Sequence, residues 1–267
     1  MFCLICRKIR IILQILTLDT LFVGQETLFS ERLPSTNDFL KALVKSQSLS
    51  EGYTVLAGEQ TSGKGQNGNE WWSVRGDNLL TSILLRPRSL TFDNLHYLVY
   101  AVALGVRATV QKYIPQQKVE VKWPNDVVVA GHKISGILIE NMSVKGNIQS
   151  IVGIGININQ RDFEPFNFPP TSIRLCNKGE KFDTAEVFRT LCTWVEKYYM
   201  TLRSPRGLQQ IQELYVSQLY RFGEVVHLGQ NPIPYTVKGV NQQGQLILES
   251  GSKIKEVSHN EFNITWN

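Results

Sequence analysis

The stretch "LAGEQTSGKGQNGNEWWS", residues 56–73, admits two readings, and the choice between them decides the fold. Gly58-Glu-Gln-Thr-Ser-Gly63-Lys64 fits the first seven positions of a phosphate loop, G-x-x-x-x-G-K, and the apolar run ahead of it, 53–57, reads as a strand. A phosphate loop would place the chain on a parallel sheet. Two later positions rule it out. The residue after the lysine must be Ser or Thr, whose hydroxyl holds Mg²⁺, and Gly65 stands there. The loop must also open a helix facing the phosphates, yet Gly65 and Gly68 fall in what would be its first turn.

What remains is a glycine-rich loop that can run close to a ligand and present backbone N–H groups to it. Lys64 adds a cation, and Trp71 and Trp72 add apolar cover, which suits a ligand with an apolar body and an anionic end. Downstream, the short apolar runs 127–129, 134–140 and 148–158 are separated by tight turns. They read as an antiparallel meander, which excludes a parallel dinucleotide-binding fold. Upstream, Ser35 or Thr36 caps a helix carrying Phe39, Leu40, Leu43 and Val44 on one face. Residues 94–113, 184–202 and 207–219 are expected as helices, and 26–32, 53–57, 78–85 and 118–121 as strands. From residue 222 onward, short strands punctuated by glycine point to a small β-barrel.

Three further clusters sit on neighbouring elements of the meander. Lys122-Trp-Pro-Asn-Asp126 packs a cation, an aromatic, a rigid turn, an amide and a carboxylate into one strand end. Lys133 lies in the next turn, followed by Gly136 within a strand, where glycine often marks close approach. Gly153-Ile-Gly155-Ile-Asn157 repeats the theme. Each has a bland explanation alone, as a solvated turn lysine or a strand glycine that eases packing. Their concentration in one meander does not.

Composition narrows the class further. The 267 residues can bury one substantial core with room for a small second unit. Arg7, Lys8 and Arg10 supply three of the 28 basic residues, leaving 25 against 23 acidic ones in the rest of the chain, so no nucleic-acid face is expected. Residues 1–18 imitate a signal peptide, but Gln14 breaks the apolar run, no small-residue cleavage site follows, and the run is far short of the ~20 residues of a membrane span. They are expected as an extension of a cytoplasmic protein. Cys3 and Cys6 form a lone C-x-x-C with no further ligands, so no metal site is expected, and Cys176 and Cys192 read as reduced thiols.

Together, Ser35-Thr-Asn37, Gln60 with Gly63-Lys-Gly65 and Trp71, Lys122-Trp-Pro-Asn-Asp126, Lys133-Ile-Ser-Gly-Ile-Leu138 and Gly153-Ile-Gly-Ile-Asn157 resemble the biotin–protein ligases. The likeness runs from about residue 20 to the end. It implies an α+β fold: a mixed, largely antiparallel sheet with flanking helices, related to class II aminoacyl-tRNA synthetases, over 19–219, and a small β-barrel over 220–267. It implies biotin and ATP with Mg²⁺ as reactants, biotinyl-5′-AMP as intermediate, and a lysine of a biotin carboxyl carrier protein as acceptor. It leaves homodimerisation open.

The resemblance assigns Ser35, Thr36, Asn37, Gln60, Gly63, Gly65, Gly136 and Gly155 to biotin. It assigns Gln66, Lys122, Asn125 and Asn157 to ATP or the adenylate, and Lys64, Trp71 and Lys133 to both ligands. Lys64, Lys122, Asp126 and Lys133 are the expected catalytic groups; Trp71 and Trp123 are expected either as walls or as core aromatics. Two rivals stand beside this reading: a lipoate–protein ligase, whose ligand lacks a ureido head for Ser35, Thr36 and Gln60, and a non-catalytic biotin-binding adaptor. Only 34 residues precede Ser35, too few for the DNA-binding domain that some family members carry, so no repressor role is expected.

One departure has a consequence. Many relatives carry G-R-G-R-R-G-R where this chain has Gly63-Lys-Gly-Gln-Asn-Gly-Asn69, so a single charge survives. Biotinyl-AMP is expected to leave this protein faster than an arginine-rich relative, and equal release rates in a pulse-chase experiment would contradict it.

Overall fold

The structure is a computed structural model and describes residues 18–144, 146–164, 168–229, 233–258 and 264–265. The N-terminal extension, apart from Leu18, lies outside the described residues, as do Cys3 and Cys6. In chain order the elements are β1 (Thr27–Ser30), α1 (Thr36–Ser46), β2 (Thr54–Ala57), β3 (Leu79–Leu85), α2 (His96–Tyr113), β4 (Val119–Lys122), β5 (Asp126–Val129), β6 (His132–Val144) and β7 (Asn147–Ile156). Then follow α3 (Ile173–Cys176), α4 (Thr184–Thr201), α5 (Gly207–Ser217) and the tail strands β8 (Val225–Leu228), β9 (Pro234–Val240), β10 (Leu246–Ser250), β11 (Lys253–Val257) and β12 (Ile264–Thr265).

The seven-stranded sheet has the order β1-β2-β3-β7-β6-β5-β4. Only β1 and β2 pair in parallel; the remaining ladders are antiparallel, as the tight turns of the meander require. Strand β3, LLTSILL, is buried at every position because β2 and β7 flank it and helices cover both faces. Alternation divides its side chains. Leu80 and Leu84 join the core beneath α1, with Leu40, Val44 and Val55. Leu79, Ile83 and Leu85 join the larger core formed with α2, α4 and α5. Ser82 shares the parity of Leu80 and Leu84 and so faces α1.

The N-cap of α1 is Ser35, whose side-chain oxygen accepts from the Asp38 N–H. Helix α2 is buried around most of its circumference, from Tyr97 to Val110, which explains why its sequence is apolar with little amphipathic periodicity.

The tail expected as a barrel is, among the described residues, a five-stranded antiparallel sheet of order β11-β10-β9-β8-β12. Strand β11, KIKEV, carries almost no strand signal in its sequence. Four of its five residues are exposed, so its apolar periodicity is nearly silent. This sheet is tied to the body at the Lys122–Asp126 segment. The Trp123 indole N–H donates to the Gly244 carbonyl, between β9 and β10, at 3.0 Å; within the body, the Tyr215 hydroxyl of α5 fixes the same segment by donating to the Pro124 carbonyl at 3.0 Å. The Trp123–Pro124 peptide bond is cis. Replacing Trp123 by Phe strands the Gly244 carbonyl and should lower unfolding free energy by about 1–3 kcal/mol in a urea titration.

Candidate active site

A cleft of about 230 Å³ opens on the α1 face of the large sheet, beside the N-terminus of that helix. Its floor exists because two strands lack side chains there. Gly136 of β6 and Gly155 of β7 stand opposite each other in register. The Trp71 indole lies across both: a Cβ on Gly155 would sit 2.5 Å from its Cε2, and one on Gly136 would sit 2.9 Å from its Cζ3. The indole N–H is buried and has no hydrogen-bond partner among the described residues, leaving one donor in the cleft.

One end of the cleft is charged. Lys133 Nζ lies 2.7 Å from Asp126 Oδ1, and Lys122 Nζ lies 3.6 Å from Asp126 Oδ2. The β5–β6 hairpin makes this possible, since a register shift between Val127 and Val128 brings Lys133 opposite Val128. The Lys133 backbone is clamped by residues 169–171: its N–H donates to the Pro169 carbonyl and its carbonyl accepts from the Thr171 N–H, both at 2.8 Å. Lys122 is only 9% exposed, and its ammonium lies 4.7 Å from the Phe168 ring centroid. Burial pushes the Lys122 pKa below its ordinary value; the Asp126 carboxylate opposes that shift and the Lys133 charge adds to it. Two cations sharing one carboxylate leave a net positive end, suited to an anion.

The other end is neutral and polar. The Thr36 N–H donates to Gln60 Oε1 at 2.7 Å, with the Thr36 hydroxyl 3.0 Å from the same oxygen. This fixes the Gln60 amide oxygen, with its Nε2 a donor beside Gly63. Between the two ends lies the glycine-rich loop. It folds as a hairpin in which Lys64 bridges to Glu70, Gly65 N donates to Asn69 O, and Trp71 N donates to Gly63 O. Asn67 and Gly68 take the left-handed conformation at its tip.

Of the residues expected at a site, Ser35, Thr36, Asn37, Gln60, Lys64, Gly65, Gln66, Trp71, Lys122, Asn125, Asp126, Lys133, Gly136 and Gly155 all line the cleft. Four expected residues stand elsewhere, among them Trp72, which is exposed and outside the lining. Gly63 is packed under its own loop, where a Cβ would meet the Trp71 carbonyl at 2.3 Å. Asn157 lies beyond the lining: its amide donates to the Thr171 carbonyl at 2.9 Å and its carbonyl receives the Ile173 N–H, fastening the segment after β7. Trp123 is a core aromatic, 1% exposed, and not a wall.

Two lining residues are spent on the protein. Asn37 donates to the Leu138 carbonyl at 3.3 Å and to Glu140 at 2.8 Å, and Asn125 donates to the Ile137 carbonyl. Lys64 also departs from expectation, since its ammonium pairs with Asp38 at 2.6 Å. Asp38 meets Lys41 at 3.2 Å, and Lys41 meets Glu140 at 2.6 Å. Burial opposes ionisation of Asp38, but hydrogen bonds from Lys64 and Lys41 outweigh it and hold the carboxyl below its ordinary pKa. Asp38, Lys41, Ser82 and Glu140 were all missed. Asp38 and Lys41 read as solvated helix residues, whereas Ser82 did carry a signal, a hydroxyl within an otherwise apolar strand.

The model of the biotin/lipoate A/B protein ligase family matches residues 29–159. A biotin–[acetyl-CoA-carboxylase] ligase of Paracoccus denitrificans is 30% identical over 229 residues, which cover 81% of this chain and 91% of that protein. The chain belongs to the biotin–protein ligase family. The bifunctional ligase/repressor BirA of Bacillus subtilis is 29% identical over 250 residues, covering 90% of this chain and 74% of that one. Among solved structures, biotin protein ligase from Aquifex aeolicus in complex with biotin and ATP aligns with a TM-score of 0.75 at 27% identity, over 90% of this chain and 99% of that chain. Family membership accounts for the order of the motifs; the contacts around Trp71 and Asn37 are read from this chain itself.

The packing of Trp71 on bare strand gives a direct test. Gly155→Ala should displace the indole and cost about 1–3 kcal/mol in denaturant unfolding. Adding Trp71→Leu should recover part of that loss, which a double-mutant cycle would record.

Proposed function

We propose that this chain joins biotin to ATP, giving biotinyl-5′-AMP and pyrophosphate, and then passes the biotinyl group to a lysine amine of a biotin carboxyl carrier protein. The observation that carries this reading is the polarity of the cleft. A neutral head at Gln60 and Thr36, an aromatic middle at Trp71 and a cationic end at Lys122 and Lys133 match a ureido ring, an aliphatic tail and a carboxylate meeting phosphate. Lipoate has no ureido group to occupy the first of these.

In the first step a biotin carboxylate oxygen bonds to the α-phosphorus while the bond to the pyrophosphate oxygen breaks. Bringing a carboxylate to a polyanion is opposed by charge, so the site must offset it. Lys133, the more accessible cation, is assigned to the carboxylate and α-phosphate. Lys122 is assigned to the phosphates behind it. Asp126 holds both ammonium groups in place through its two oxygens. In the second step the acceptor amine attacks the acyl carbon and AMP leaves as the bond from the acyl carbon to the phosphate oxygen breaks, with the amine giving up a proton; Asp126 is assigned to receive it.

Mg²⁺, when bound with the nucleotide, supplies neutralisation of the phosphate charge. Both Asp126 oxygens already face lysines, and no His, Cys, Asp or Glu group of three forms a metal site among the described residues. The donor set therefore fits an ion carried mainly on phosphate oxygens.

Ser35, Thr36 and Gln60 are assigned to the ureido head. Gly65 and Gln66 belong to a loop that closes over the intermediate and keeps water from the mixed anhydride. Asn157 and Gly63 act at one remove, by fastening the segments that carry the contacts. Residues 19–219 are taken as the catalytic unit and 220–267 as a small barrel docked on it through Trp123.

The reading is tested with purified protein, Mg-ATP, a biotin carboxyl carrier domain, and labelled biotin or lipoate in parallel. Biotin transfer is expected, and its absence at saturating substrate would overturn the proposal. Lys133→Ala should slow adenylate formation by roughly 10²–10³-fold with unfolding behaviour unchanged; near-normal turnover would remove Lys133 from the chemistry.

A further inference from the structure

Ser82 is fully buried in β3, points toward α1, and does not itself line the cleft. A hydroxyl there interrupts an apolar row between Leu80 and Leu84, so it must satisfy its own desolvation. It does so with two side chains of the cleft: its Oγ lies 2.6 Å from Asn37 Oδ1 and 2.7 Å from Thr36 Oγ1.

The protons can be assigned from the donors available. Asn37 uses its Nδ2 on Leu138 O and Glu140, so its Oδ1 can only accept. Ser82 has a single proton shared between two acceptors, Asn37 Oδ1 and Thr36 Oγ1. The Thr36 hydroxyl accepts from Ser82 Oγ at 2.7 Å and donates its own proton to Gln60 Oε1 at 3.0 Å. Gln60 Oε1 also receives the Thr36 N–H at 2.7 Å, so the relay from Ser82 through the Thr36 hydroxyl ends on an amide oxygen held by both donors of Thr36.

The residue opposite Ser82 in the sheet completes the seat. Ser82 pairs in register with Gly153, where a Cβ would lie 2.4 Å from Asn37 Oδ1. Any side chain at Gly153 would therefore expel the Asn37 amide from its place above Ser82. Hydroxyl, bare strand and amide form one notch, and the first turn of α1 is keyed into it.

From this we infer that Ser82 is a positioning residue for the neutral end of the cleft. It directs the Thr36 hydroxyl, and through Thr36 the Gln60 amide, at the end assigned to the ligand head. The inference rests on the biotin-ligase reading above. It adds a residue that touches neither ligand nor reacting atoms, and whose loss should therefore appear in binding of the head and not in the chemical step.

The test is Ser82→Ala, with Ser82→Cys as a near-isosteric variant that keeps the volume and weakens the hydrogen bonds. The biotin KM of adenylate formation is expected to rise about tenfold in Ser82→Ala and less in Ser82→Cys. At saturating biotin, kcat should stay within about twofold, since the charged end is untouched. A KM within twofold of the parent, or a fall in kcat without a change in KM, would overturn the assignment; reduced stability alone, with both constants kept, would leave Ser82 as a packing residue and overturn it too. If the parent forms no adenylate, the ligase reading fails separately. The hydroxyl chain is then judged in the ligand-free protein by the side-chain amide resonances of Asn37 and Gln60, which must both shift in Ser82→Ala; unmoved Gln60 resonances would overturn the positioning role.

Discussion

A sheet face cannot both support a helix and receive a flat ring unless side chains are removed from part of it. That constraint organises this molecule. Under the body of α1 the face is filled by Leu80, Leu84 and Ile151. Past the helix N-terminus it is bare at Gly136, Gly153 and Gly155, and the vacated height is taken by Asn37 and Trp71. Dense packing leaves no slack at such positions, since even one methyl group must displace a neighbour. The cleft is thus the place where a continuous core stops being filled from below and is filled from above by loop and helix end.

The charged end obeys a different constraint. An ammonium as buried as that of Lys122 is costly to ionise without a partner. The structure supplies a carboxylate shared with Lys133 and an aromatic ring at Phe168, and it holds the segment rigid by docking Trp123 and Tyr215 behind it. The tail sheet therefore contributes to the geometry of the site without lining it: the Gly244 carbonyl fixes the residue next to Lys122.

Much of this was legible in the sequence, for identifiable reasons. Gly65 excluded the phosphate loop because the metal-binding hydroxyl has no substitute there. The tight turns between 127 and 158 dictated antiparallel pairing, and the sheet has it. Ser35 or Thr36 was expected to cap α1, and Ser35 does. What could not be read were partners brought together by folding. The Asp38 partner of Lys64, for example, comes from a helix 26 positions earlier in the chain. Trp123 and Asn157 carry the marks of site residues in their motifs, yet one faces the core and the other a loop; a motif fixes residue type and not side-chain direction. Ser82 was hidden for the opposite reason, since its strand reads as ordinary core.

The Asp38–Lys64 pair, with both side chains nearly half exposed, differs in kind from the enclosed trio at Lys122, Asp126 and Lys133. Mobile ions reach the first and screen it within a Debye length of about 8 Å at physiological ionic strength, while the second is sheltered by protein. The glycine-rich loop is therefore moored by a tether that weakens as salt rises, while the pairs around Asp126 are screened less.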